Sequence, residues 1–139
     1  MRNLLTIGIL CAFSLNGCGQ SRSTQCEALT SVKAPLASSS STPKDLLLVQ
    51  KAYLEGYKGL SLSDPDLKQA QADRIAYYEQ SVKVSKEAIE LSEEIGGGVP
   101  TASQLQQVIT QSGRNLEVWS QLTPLLSKTA QLCPNSAPR

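Results

Sequence analysis

The chain is 139 residues long, 40% apolar, 18% charged and only 4% aromatic, with a formal net charge of +1. That length fits one small domain, and the near-balanced charge excludes the electrostatic footprint of a nucleic-acid binder. Histidine is absent, which excludes Ser–His and Cys–His catalysis, histidine metal sites and a histidine pH switch. The expectation is a protein that is not an enzyme and needs no cofactor or metal.

The chain opens with Met1-Arg2-Asn3, an apolar run from Leu4 to Leu15, then Asn16-Gly17-Cys18-Gly19. One positive charge, about a dozen apolar residues and a small-residue exit make a secretory signal peptide of residues 1–17. The run falls short of the roughly twenty residues that span a bilayer. Leu15-Asn16-Gly17-Cys18 resembles the lipobox of bacterial lipoproteins. The resemblance implies that Cys18 takes a diacylglyceryl group, becomes the N-terminus and is then often N-acylated. Such a fatty-acyl anchor, of the palmitate kind, is stable on a membrane once two or more chains are present. Gly19, not Asp, follows the cysteine, and by resemblance to enteric lipoproteins this implies the outer membrane. Ordinary cleavage that leaves Cys18 free is the alternative.

With Cys11 lost in the signal and Cys18 carrying lipid, Cys26 and Cys133 remain. An even pair in an exported chain reads as a disulfide. A zinc pair or a redox dithiol lacks support, because there is neither a CxxC nor a histidine.

Residues 18–25 read as a polar tether. A short first helix runs from Cys26 to Val32, and Pro35 stops it. After the serine run 38–41, Thr42, Pro43 and Asp45 form a helix start of capping-box spacing. The second helix extends to about Gly59, with Leu46, Val49, Tyr53 and Tyr57 at helical spacing. Ser63-Asp64-Pro65-Asp66 starts the third, with Ser63 as the expected cap, and it runs to about Ile95. One stripe holds Ile75, Tyr78, Val82 and Ile89, and a second holds Tyr77, Val84, Ala88, Leu91 and Ile95. Two stripes predict a central helix with neighbours on both sides. Gly96-Gly97-Gly98-Val99-Pro100 ends it, and the missing Lys-Ser/Thr excludes a phosphate loop. A fourth helix carries Leu105, Ile109, Leu116, Trp119 and Leu126, and Pro124 either kinks it or opens a last segment reaching Leu132. Residues 134–139 read as a disordered tail. No stretch alternates like a strand.

Three long antiparallel helices would hold the cysteines at opposite ends, whereas a disulfide needs Cα atoms within about 7 Å. A chain reversal between Pro35 and Thr42 brings them together. The expected fold is therefore all-α: a small up-down-up-down four-helix bundle of residues 26–133, with an irregular first helix and a terminal disulfide. Reflection through turns near 61–62 and 98–99 sets Leu46, Tyr78 and Trp119 at one level, as a core layer or a ligand layer. It leaves Val82, Ile89, Leu91, Ile95, Leu105, Val108 and Ile109 on a distal two-helix stem. Either this stem is a partner surface, or residues 26–42 cover it. Glu79, Glu87, Glu90, Glu93 and Glu94, mixed with Lys83 and Lys86, read as a solvated face. The uncharged stretch with Gln104, Gln106, Gln107, Gln111 and Ser112 reads as a solvated face or a partner contact.

Gln25-Cys26, Leu62-Ser63-Asp64-Pro65-Asp66-Leu67 and Leu132-Cys133 resemble uncharacterised small exported helical proteins of cyanobacteria. The resemblance implies no activity. The leading functional expectation is a lipid-anchored module that binds or scaffolds an unidentified envelope or membrane protein. The alternative is a carrier of a small apolar ligand between the helices.

Overall fold

A computed structural model describes residues 20–34 and 42–136. The signal peptide, Cys18, Pro35 and the serine run lie outside the described residues. Every regular element among those described is a helix: α1 (Arg22–Thr30), α2 (Pro43–Lys58), α3 (Pro65–Ile95), α4 (Ala102–Ser120) and α5 (Leu122–Leu132).

Local chemistry sets the ends of these helices. Thr42 and Asp45 form a reciprocal capping box on α2 with Pro43 in its first turn, and Thr101 and Gln104 do the same on α4. α3 is capped by Asp64 rather than Ser63; its carboxylate accepts from the Asp66 and Leu67 amides at 3.0 and 3.1 Å. Gly96 and Gly97 end α3 at φ 66° and 74°, a left-handed region that costs glycine least. Pro124 lacks the N–H that would bond the Ser120 carbonyl, and the helix is interrupted at Gln121.

The paired residues establish direction. Arg22 bonds Asp64 at 2.8 Å at the base, and a Cβ on Gly56 would sit 2.6 Å from Val32 Cγ1, so α1 rises along the C-terminal half of α2. α2 descends beside α3, with Lys44 on Glu93 at 2.8 Å and Lys58 on Glu79 at 2.9 Å. α4 and α5 descend on the other side, through Arg114–Glu87 at 3.3 Å and Lys128–Asp73 at 2.7 Å. The result is an up-down-up-down all-α bundle about the central α3, closed by the Cys26–Cys133 disulfide with Cα atoms 5.5 Å apart.

Besides the cap of α3, three expectations are corrected. α1 begins at Arg22, inside the segment assigned to the tether, because Ser21 caps it and Gln25 anchors it. Gln25 is 2% exposed and fully used: its amide nitrogen donates to the Gln20 carbonyl and the Ser63 hydroxyl, and its oxygen accepts from the Ser63 and Asp64 amides. Residues 134–136 are not loose tail but a turn, with the Ser136 amide on the Cys133 carbonyl. Finally, α2 sits higher on α3 than reflection through 61–62 implies. The loop after Lys58 takes several non-helical residues, and Gln71 Nε2 ties the Tyr57 and Leu60 carbonyls to α3. With α2 raised, Val82 is buried, one turn beyond Tyr78 on the stripe that faces α2, and leaves the proposed distal surface.

The main core lies at the disulfide end, where Leu29 and Leu67 are fully buried beside Cys26, Tyr57, Leu62, Ala70 and Cys133. A smaller cluster of Tyr77, Val84 and Val118 holds α4 to α3. Because the bond closes a 107-residue separation, the chain-entropy relation gives about 4–5 kcal/mol of stabilisation. Cys26→Ser/Cys133→Ser should lose most of that stability, read as the shift in urea midpoint against the oxidised protein. An unchanged midpoint would show that the helices close without the bond.

Candidate functional site

α2 and the α4–α5 pair both pack on α3 but make little contact with each other. Between them lies a groove of about 840 Å³, open along one side. Its floor is Arg74, Tyr77 and Tyr78 of α3. One wall is Leu46, Val49, Gln50, Tyr53 and Tyr57 of α2, and the other is Trp119, Leu122 and Leu126. The end of α1 from Thr30 to Lys33 and the turn at Asn135 and Ser136 contribute near the disulfide.

Leu46, Tyr78 and Trp119 line one cavity but do not share one level: with Lys44 on Glu93, the start of α2 lies well above Tyr78, and Tyr53 and Tyr57 stand against Tyr78 instead. Trp119 is 48% exposed there, so the cavity is not a closed core. Tyr53 and Tyr57 stack on Tyr78 with ring centroids at 5.1 and 5.7 Å, and Tyr77 meets Tyr78 edge-on at 4.9 Å. Such arrangements of aromatic pairs are favourable beyond their buried area. Burial raises the Tyr78 phenol well above its ordinary range, and the neighbouring tyrosines push it further. Burial raises Tyr57 too, against the opposing charge of Arg74.

Two polar groups stand out on this aromatic surface. Arg74 is 4% exposed, and among the described residues no carboxylate pairs with it. Its Nη2 donates to the Leu125 carbonyl at 3.3 Å and the Thr129 hydroxyl at 2.9 Å, and its guanidinium lies 5.8 Å from the Tyr57 ring centre. Gln50 is 6% exposed, and its buried Oε1 finds no hydrogen-bond partner among the described residues. The sequence carries no signal for either group, since a lone glutamine or arginine on an amphipathic helix reads as solvent-facing whatever its neighbours.

The distal stem is less uniform than expected. Ile89, Leu91 and Ile95 are half-buried, while Leu105, Val108 and Ile109 are 49%, 37% and 64% exposed. Gln111 is withdrawn from the glutamine face: it is buried, and its Nε2 donates to the Val84 carbonyl at 2.8 Å. Of the acidic residues singled out on α3, Glu79, Glu87 and Glu93 each pair with a cation from a neighbouring helix. Among the described residues no cluster of metal-ligating side chains forms, and no helix is long and apolar enough to cross a membrane. No family model, curated protein or solved structure matches the chain.

Raised phenol pKa values mean that the folded protein holds these protons more tightly than the unfolded chain. Their contribution to stability is intact below pH 10 and declines as pH rises above it. Phenolate absorbance should therefore show a late component that Tyr57→Phe and Tyr78→Phe each diminish. A single transition at the ordinary tyrosine value in the native protein would contradict the burial described here.

Proposed function

We propose that this protein is a lipid-anchored carrier that holds a small, largely apolar molecule in the groove between α2 and α4–α5. The observation that carries the reading is the groove itself, about 840 Å³, walled by aromatic and aliphatic side chains of α2, α3 and α4–α5 with Gln50 and Arg74 among them, and edged by polar residues of α1 and the 135–136 turn at one end. Small-molecule sites have this character: a mostly apolar concavity of several hundred Å³ with a few polar groups that orient the ligand. The tyrosine stack offers flat apolar surface without rearrangement, because its rings already rest on one another. The lipobox-like Leu15-Asn16-Gly17-Cys18 supports export and an acyl anchor, which would keep the groove beside a membrane surface, the outer membrane by the Gly19 resemblance. Native mass spectrometry of the full chain purified without denaturant should find protein carrying one discrete additional organic mass. Bare protein in every preparation, together with no response of Trp119 fluorescence to added amphiphiles, would overturn the reading.

A second reading, a protein-binding scaffold, is favoured by the apolar stripe on α4. Leu105, Ile109 and Leu116 are 49%, 64% and 72% exposed and recur at helical spacing. Such a stripe is suited to burial against an envelope or membrane protein. A photo-crosslinking residue at Ile109 should then yield a discrete protein adduct in intact cells, and one at exposed Lys51 on α2 should not. Equal yields at both positions would remove this reading.

A further inference from the structure

We infer that the groove selects a single-headed anionic amphiphile, a medium-chain carboxylate, and that Arg74 is the residue that binds its head. This rests on the carrier reading and adds the chemical class of its ligand.

The argument begins with the cost of the arginine. A guanidinium removed from water without a carboxylate is expensive, and proteins normally pair or hydrogen-bond such a charge. Arg74 is 4% exposed, yet among the described residues all its hydrogen bonds come from Nη2. Arginine has five N–H donors, so the donors on Nε and Nη1 remain. Neither nitrogen is among the fully occluded, unpartnered side-chain atoms of the described residues, which are Gln50 Oε1 and Ser81 Oγ. The remaining donors are therefore not sealed off among the described residues, and Arg74 borders the groove.

The remaining charge pattern agrees. Asp73, the neighbouring acid on α3, is engaged by Lys128 at 2.7 Å, which holds its carboxyl below the usual range. Glu27 and the exposed Lys33 at the α1 side are the other charged residues on the groove lining, and among the described residues no ion pair joins Glu27 to Arg74. The floor thus presents a positive charge with free donors at the disulfide end. Beyond it the α2 wall from Tyr57 to Leu46 runs roughly 16 Å at 1.5 Å per residue. Opposite stand Trp119, Leu122 and Leu126. A charged head followed by an extended apolar tail matches this layout, whereas a wholly apolar ligand would leave the guanidinium donors dry and unmatched.

Arg74 also has a structural task, since it ties α3 to α5, so a variant alone would be a poor test. The decisive comparison uses the unaltered full-length protein with two probes of nearly equal tail: dodecanoate and its uncharged methyl ester, both below their aggregation concentrations. Binding is read by calorimetry and by the fluorescence of Trp119, the one tryptophan in the chain. A charge-assisted hydrogen bond gives the expected preference for dodecanoate, roughly ten- to hundredfold. Arg74→Lys should retain part of that preference, and Arg74→Met should abolish it while still binding the ester. Equal affinity of the native protein for the two probes overturns the role of Arg74 and leaves the carrier reading standing. Binding of neither probe overturns both.

Discussion

The groove depends on one constraint: α1 is bound to the end of α5. α1 has nine residues, too few to be helical alone in water. It is held by the Cys26–Cys133 bond, by Gln25 bridging to the start of α3, and by Leu29 in the base core. In that position it fills the base of the bundle and closes one end of the space between α2 and α4–α5. Without it, α2 and α5 would be two independent helices against α3, separated by an unsealed channel. The disulfide thus does more than restrict the unfolded chain. It defines where the concavity stops.

Above that base the fold is asymmetric by design of its loops. The extended link between Lys58 and Pro65 raises α2, and the glycine turn folds α4 tightly back on α3. The two flanking helices therefore meet α3 on different faces and do not zip together. In a four-helix bundle of equal helices, side chains from all sides fill the axis. Here the axis is filled at the base and vacant beside Tyr78. Tyrosine and tryptophan suit such a half-wet surface, being apolar in body and polar at the tip. The exposed Trp119 and the buried Arg74, which has no carboxylate partner among the described residues, border the same cavity.

Much of the helix layout was legible in the chain because its signals are local. Thr42-Pro43 with Asp45 and Gly96-Gly97 start and end helices through atoms within a turn, and at Ser63-Asp64-Pro65 the start was legible although Asp64 rather than Ser63 makes the cap. The cysteine pair, weighed against the number of reversals, also selected the right topology. The errors came where local signals are silent. Arg22 to Gln25 show no apolar periodicity, so the start of α1 is dictated by a long-range bond from Gln25 to residues 63 and 64. Val82 and Gln111 changed sides because their burial follows from how far neighbouring helices slide, which no spacing within one helix records.

By itself the sequence determined that this is a histidine-free, all-helical chain with four reversing segments, joined near its ends by two cysteines. Those properties follow from backbone capping, hydrophobic period and loop closure, all of which act along the chain. Only the tertiary structure decided that Leu46, Tyr78 and Trp119 border an open groove and that Arg74 stands in its floor. Register between helices is a sum of side-chain contacts and loop geometry across the fold, and a cavity is what those contacts leave unfilled.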